Sequence, residues 1–171
     1  MTRLLNTEPL TAAAFAPFGD VLECTGTPDK MINQGLCARH HDRARLDFGP
    51  DARGGISMFN AEPRALPYVL DMVERHPDGS QAFIPLHGHP FLVIVAPDEG
   101  GTPGTPRAFV TNGMQAINLL RNTWHGVLTP LAAPGLFACV DRIGATPNLE
   151  EYWFEAVWTV ADPKDPGQPG A

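Results

Sequence analysis

Proline and glycine interrupt this chain so often that they exclude long helices. The 171 residues include 18 prolines and 17 glycines, and both residue types disrupt or weaken a helix interior. The apolar runs between them are short, and many short strands separated by turn residues are typical of a β-sandwich or β-barrel. We therefore predict an all-β fold with one short N-terminal helix near residues 11–15, where Thr11 is a suitable N-cap before an alanine run.

Eleven segments have the length and composition of strands. The segment 91–95 is apolar at every position, so it is predicted to be buried on both faces. No linker divides the chain, and we expect residues 1–160 to form a single domain. Residues 161–171 are rich in proline and glycine and are predicted to form a disordered C-terminal tail. The predicted strands are residues 21–24, 36–41, 56–60, 68–76, 81–85, 91–96, 107–110, 116–120, 124–128, 137–142 and 152–160.

Charge and apolar pattern narrow the class of function. A net charge of −7 argues against nucleic-acid binding, which needs a basic surface. The sequence shows neither an N-terminal apolar segment of the signal-peptide kind nor an apolar run of membrane-spanning length. We therefore expect a cytoplasmic protein that binds neither nucleic acid nor membrane. The three cysteines are widely spaced without a CxxC motif, so no disulfide framework is expected.

Four residues have the spacing Glu-x-His-x4-Gln-x6-Gly, namely Glu74, His76, Gln81 and Gly88. The spacing resembles the metal motif of cupin proteins, His-x-His-x4-Glu-x6-Gly, with two ligands replaced. Alternate residues of a strand face the same side, so Glu74 and His76 can point into one cavity. Gln81 enters it from the next strand and His125 from a third. The resemblance implies a cupin-type β-barrel, a jelly roll also described as a double-stranded β-helix.

Glu74, His76, Gln81 and His125 form the predicted metal site. Two imidazoles, a carboxylate and an amide oxygen are ligands for a borderline divalent ion; nickel is our first candidate, and zinc and manganese are the alternatives. A single histidine is more often a surface or hydrogen-bonded residue than a ligand. The occurrence of two histidines at motif positions is what favours a site.

His87 and His89 also form an H-x-H pattern. Gly88 and Pro90 mark a turn at this point of the chain. We therefore predict that both histidines are solvated loop residues outside the cavity.

Several longer blocks are more specific than the cupin spacing. They are Ile32-Asn33-Gln34-Gly35 with Arg39, His41 and Asp42; Asn60 with Pro63; Glu74-Arg75-His76-Pro77 with Gly79 and Gln81-Ala82-Phe83-Ile84-Pro85; Arg107-Ala108-Phe109; Thr111-Asn112-Gly113; Asn118; Arg121-Asn122 with Trp124-His125; and Asp141-Arg142. On these blocks the chain resembles the bacterial ureidoglycolate lyase family, from Phe18 to about Glu155. The resemblance implies a usually dimeric cupin enzyme that cleaves (S)-ureidoglycolate to glyoxylate and urea in allantoin breakdown, a part of purine catabolism that supplies nitrogen.

That reaction needs a base for the substrate's hydroxyl proton and an acid for the departing nitrogen. On motif position and chemical need, the candidate catalytic residues are Glu74, His76 and His125. A divalent ion chelated by the substrate's carboxylate and hydroxyl would lower the pKa of that hydroxyl.

The substrate's carboxylate calls for an arginine, since a guanidinium binds a carboxylate through two hydrogen bonds. Arg39 and Arg121 are the candidates, although for each arginine singly a structural salt bridge is the more frequent role. Asn112 is a secondary candidate, because the Asn-Gly pair first predicts a tight turn.

Two other functions remain open on the same barrel, a non-catalytic cupin that binds a small ligand and a sugar or keto-acid isomerase. The replaced metal ligands favour the binding protein slightly, whereas the Arg-Asn-x-Trp-His block favours the lyase more strongly. A homodimer is expected, because the strand 91–95 and the aromatic residues Tyr152, Trp153, Phe154 and Trp158 need cover. Packing inside one chain is the alternative, and the family resemblance favours the dimer.

Overall fold

The computed structural model describes residues 3–162. They form fifteen strands, one short α-helix and one turn of 3₁₀ helix at Asn33–Gly35. The predicted tail begins at Ala161, which is buried and donates its N–H to the carbonyl of Leu5; residues 163–171 lie outside the described residues. The elements are β1 (Arg3–Leu5), β2 (Thr7–Pro9), α1 (Ala12–Phe15), β3 (Gly19–Leu22), β4 (Lys30–Ile32), β5 (Cys37–Arg39), β6 (Arg53–Asn60), β7 (Tyr68–Arg75), β8 (Gln81–Pro85), β9 (Phe91–Ala96), β10 (Arg107–Val110), β11 (Ala116–Leu119), β12 (Trp124–His125), β13 (Thr129–Pro130), β14 (Leu136–Ile143) and β15 (Glu150–Val160).

Two sheets face each other and form a barrel-like β-fold, as the sequence predicted. The first has the strand order β1-β15-β7-β12-β9-β10-β2, with β13 also paired to β9. The second has the order β3-β11-β8-β14-β6. Apolar side chains of both sheets, among them Phe83, Val95 and Phe137, meet in the interior cluster between them. The arrangement is that of a cupin barrel.

Strand β9 is buried at all six positions, which confirms the prediction for 91–95. Phe91, Val93 and Val95 belong to the interior cluster. Leu92 and Ile94 face the other way, into a second apolar cluster on the outer side of the first sheet. Both faces of the strand are therefore covered within one chain, and this strand does not require a second subunit.

The local prediction was most accurate for strands bounded by turn residues. The bounds of β8, β9 and β10 are those predicted. Helix α1 is also confirmed, and the side-chain oxygen of Thr11 accepts the N–H of Ala14 at 3.2 Å. The three-residue strands β1, β2 and β4 were not predicted. Of the predicted strand 124–128, only residues 124 and 125 form a strand, β12. Strand β13 is a separate short strand that begins at Thr129.

Strands β4 and β5 pair only with each other and belong to neither barrel sheet. We call residues 30–39 the β4–β5 hairpin. Leu36, just after the 3₁₀ turn, is 87% exposed. Within residues 3–162, no helix has the length and apolar character needed to cross a membrane.

Candidate active site

Strands β7, β12 and β9 bring a carboxylate and an imidazole together on the inner face of the first sheet. His125 lies opposite Glu74 of β7 and opposite Val95 of β9. Residues directly opposite each other on paired strands share a face, and Val95 belongs to the interior cluster. Glu74 and His125 therefore point between the two sheets. His76, two residues after Glu74, points to the same side, as predicted.

Backbone carbonyls orient both histidines in the same way. Nδ1 of His76 is 2.6 Å from the carbonyl oxygen of Asn148, and Nδ1 of His125 is 3.0 Å from that of Gly126. A carbonyl can only accept, so in each ring Nδ1 carries the proton. Both Nε2 atoms are buried with no hydrogen-bond partner in the described chain. Fixing one ring nitrogen to a carbonyl is how proteins orient metal-ligating histidines.

The three side chains are close enough to serve one ligand. One ligand atom from each of Glu74, His76 and His125 lies within 4.8 Å of the others, and the two imidazole centroids are 5.2 Å apart. Ligand bonds of about 2.0–2.2 Å place neighbouring ligand atoms roughly 3–4 Å apart, so small side-chain shifts would close this triad on an ion. The carboxylate, the two free Nε2 atoms and their fixed Nδ1 atoms fit a divalent metal.

Burial controls the charge of the site. It lowers the pKa of His125 to about 3, with a smaller effect in the same direction from His76, so the ring is neutral near pH 7. Burial also raises the pKa of Glu74; the charge of Glu151 adds to the rise and that of His76 opposes it. The site thus combines the neutral imidazole of His125 with a carboxyl group that is easier to protonate than usual.

The fourth predicted ligand, Gln81, is buried on β8, opposite Leu119 on the inner face of the second sheet. Its side chain lowers the pKa of the Cys139 thiol, against the larger rise that burial causes. Its Oε1 has no hydrogen-bond partner among residues 3–162, so an amide oxygen is available inside the barrel.

The predicted substrate-binding residues have other hydrogen-bond partners in this chain. Arg121 is exposed, and its guanidinium donates two hydrogen bonds to the carboxylate of Asp47, at 2.8 and 2.7 Å. Asn112 is exposed, and its Oδ1 accepts the N–H of Met114. Arg39 lies on the β4–β5 hairpin, where it donates to Nδ1 of His41 at 2.8 Å.

His87 and His89 follow β8, in the bend before β9, where the turn was predicted. The ring of His87 is only partly solvated and lines a surface groove, which differs from the prediction of a solvated residue outside any cavity. It packs edge-on against buried Phe137 with a centroid distance of 4.8 Å, and burial, then His89, lowers its pKa. The two rings stack 5.7 Å apart. Neither histidine belongs to the metal-ligand group.

A groove of about 820 Å³ lies apart from the triad. Leu22, Ile84 and Ala116 of the second sheet line it together with His87 and Asn112, and none of Glu74, His76 and His125 does. We place the chemistry at the triad, because there the unpartnered polar atoms converge, whereas the groove lining is mostly apolar.

A β-barrel with two fixed histidines and a carboxylate inside it defines a cupin of the kind that holds a metal or a small polar ligand. The profile of the ureidoglycolate lyase family matches residues 2–161. The chain is 62% identical to a ureidoglycolate lyase of Rhodobacter capsulatus, over 89% of this chain and 94% of the relative. It is 52% identical to ureidoglycolate lyase 2 of Rhizobium meliloti, over 91% and 96% of the two chains. The protein belongs to the ureidoglycolate lyase family, and the resemblance seen in the sequence is confirmed.

Sequence reasoning missed the groups that orient the histidines. The carbonyl of Asn148 fixes His76, and the side-chain oxygen of Asn148 accepts the N–H of Asp78 at 2.7 Å. Asn148, two positions before β15, therefore holds in place both His76 and the turn that follows His76. No sequence pattern marks a backbone carbonyl for this role, because any residue type supplies one.

We expect burial of His125 to make the metal-free protein lose stability as the pH falls. Its ordinary pKa is 6.5 and its folded pKa is about 3, so below pH 6.5 the unfolded chain binds a proton that the folded chain does not. The free energy of unfolding should fall by up to roughly 1.4 kcal/mol per pH unit. Denaturant unfolding in chelator, between pH 6.5 and 5, measures this loss. The variant His125→Gln should lack this component; an equal slope in both proteins would contradict the assignment.

Proposed function

We propose that this protein is a lyase that cleaves ureidoglycolate, preferably the (S)-enantiomer, to glyoxylate and urea. Membership of the family and the names of the relatives support the substrate. The observation that carries the proposal is the convergence of Glu74 with the unpartnered Nε2 atoms of His76 and His125. The reaction serves allantoin breakdown and the use of purine nitrogen.

The chemistry moves one proton and breaks one bond. The substrate's hydroxyl loses its proton, its oxygen forms the glyoxylate carbonyl, and the carbon–nitrogen bond breaks as the nitrogen takes a proton and leaves in urea. The unpartnered Nε2 atoms of His76 and His125 can accept a hydrogen bond or the proton of the substrate's hydroxyl. Glu74, whose pKa is raised, can likewise accept the proton and return it to the departing nitrogen.

We propose that Glu74, His76, Gln81 and His125 hold a divalent ion, with nickel the first candidate and zinc or manganese the alternatives. When bound, the ion would supply positive charge that lowers the pKa of the substrate's hydroxyl. Gln81 adds a neutral oxygen from the opposite sheet, which is a weaker ligand than a carboxylate.

We propose that Arg39, Arg121 and Asn112 contribute to substrate binding. Arg39 is the stronger of the two arginine candidates, because Asp47 already occupies the guanidinium of Arg121. No carboxylate of the described chain forms an ion pair with Arg39.

Replacing His76 or His125 with alanine should lower glyoxylate production from ureidoglycolate by roughly 10²–10⁴-fold. The reason is that each variant removes one Nε2 acceptor from the site. A coupled glyoxylate reductase assay measures turnover, and thermal melting shows whether each variant folds.

His87→Ala and His89→Ala are the matched controls. Both should keep turnover near that of the wild type, and His87→Ala should melt at a lower temperature because its ring packs on Phe137. If His87 or His89 were essential while His76→Ala remained active, the site assignment would be wrong.

Removing metal with a chelator should lower turnover, and adding nickel, zinc or manganese should restore it. Melting provides a readout that does not depend on activity. An ion at about 100 times its dissociation constant stabilises the folded chain by roughly 2.7 kcal/mol. The wild type should therefore melt at a higher temperature with the ion, and a His76→Ala/His125→Ala variant should not. Equal shifts in both proteins would contradict binding at the triad.

We also propose that the protein is a cytoplasmic homodimer. The fully apolar strand no longer supports the dimer, because the chain itself covers both faces of β9. Support comes from apolar side chains that remain uncovered, among them Trp153 at 62% exposed and Leu36 at 87% exposed. Light scattering should give twice the chain mass of 18.5 kDa at micromolar concentration. A mass of one chain would contradict the dimer.

A further inference from the structure

The β4–β5 hairpin is an element without cover in the single chain. Its two strands pair only with each other, and Met31 and Leu36 expose 49% and 87% of their surface. Burial of an exposed apolar residue by a partner removes its surface from water, and this stabilises the complex. The hairpin therefore has the form of an arm that packs against another surface.

The charge of the hairpin region identifies a surface that it can bind. Lys30 and Arg39 of the hairpin form no ion pair among residues 3–162, whereas Arg43 and Arg45, just after it, already pair with Asp29 and Asp20. At the barrel end beside the triad, Glu151 lies opposite Glu74 and forms no ion pair in the described chain, whereas Glu150 pairs with Arg75. A basic arm and an acidic barrel end in the same chain are complementary, and two copies can satisfy both contacts at once.

Two arginines close to the triad residues in sequence already have carboxylate partners. Arg75 follows Glu74 but faces the outer side of the sheet, where it stacks on Trp124 and pairs with Asp98 and Glu150. Arg121 is held by Asp47. Arg39 has only the imidazole of His41 as a polar side-chain partner, so its guanidinium can still bind a carboxylate.

We propose that the β4–β5 hairpin docks on the barrel end of a second copy of this chain and that Arg39 binds the substrate's carboxylate in that copy's site. Exchange of hairpins about a two-fold axis forms a closed dimer with two complete sites, each built from both chains. The role of Arg39 rests on the proposed lyase function, whereas the docking of the hairpin does not.

Mixed dimers test whether Arg39 acts across the interface. Arg39→Ala and His76→Ala chains carrying different tags are co-expressed, and the heterodimer is purified through both tags. Each parent dimer should have little turnover, whereas the heterodimer should recover about half of the wild-type value, because one of its two sites is complete. A heterodimer of His76→Ala with His125→Ala is the matched control and should stay inactive, since both histidines belong to the same barrel.

Two results would overturn the exchange. The first is an Arg39→Ala/His76→Ala heterodimer as inactive as its parents, which would place Arg39 in the site of its own chain. The second is an Arg39→Ala dimer with wild-type turnover, which would remove Arg39 from the site.

The mass of hairpin variants tests docking without any assay of activity. Leu36→Glu should shift the protein from the dimer to the single chain. Val69→Glu, which places the same charge at a 53% exposed position of β7, should leave the dimer intact. A dimeric Leu36→Glu variant would overturn the docking. A wild-type protein that releases no glyoxylate would contradict the lyase function but would not affect this measurement.

Discussion

The structure depends on one strand that is buried on both faces. Alternate residues of β9 enter the interior cluster and the outer cluster, so a polar residue on either face would lose its hydration without compensation. Along its edges β9 pairs with β10 on one side and with β12 and β13 on the other. Because β12 lies between β9 and β7, the register of these strands sets His125 opposite Glu74. The site takes its geometry from the most buried part of the fold.

Local sequence pattern was sufficient where turn residues bound a strand on both sides, as for β8, β9 and β10. It failed for β1 and β2, which are three residues long and pair in parallel with β15 and β10. Such pairing joins segments about 100 to 155 positions apart, and no periodicity within three residues encodes it. The segment 124–128 read as one strand because its residues are mostly apolar. The chain instead leaves the strand after His125, where Gly126 donates its N–H to the carbonyl of Ile94.

The spacing of Glu74 and His76 predicted that they share a face, and the distant His125 was placed with them as a second histidine on a later strand of the predicted barrel. What the sequence could not predict was the environment of each ring. The protonation of Nδ1 depends on carbonyls of Asn148 and Gly126, and the neutral state of His125 depends on its complete burial. The guanidinium of Arg121 donates hydrogen bonds to the carboxylate of Asp47, which is 74 positions away in the sequence. Partners of this kind arise from tertiary packing. The sequence therefore cannot show whether an arginine is free to bind substrate until the neighbours of that arginine are known.

The charge of the triad explains why a further cation is needed. The proposed metal ion and the proposed role of Arg39 would both offset negative charge beside the substrate. Glu74 and Glu151, which lies opposite it, give this part of the inner face negative charge. A substrate carboxylate about 4 Å from an ionised Glu74 would be repelled by roughly 1–4 kcal/mol, depending on the local dielectric. Protonation of Glu74 would remove the repulsion but also the base. A bound divalent ion, or an arginine beside the substrate, would relieve this repulsion while Glu74 stays ionised. The proposed metal and the proposed role of Arg39 would therefore each supply positive charge that a carboxylate substrate needs beside Glu74.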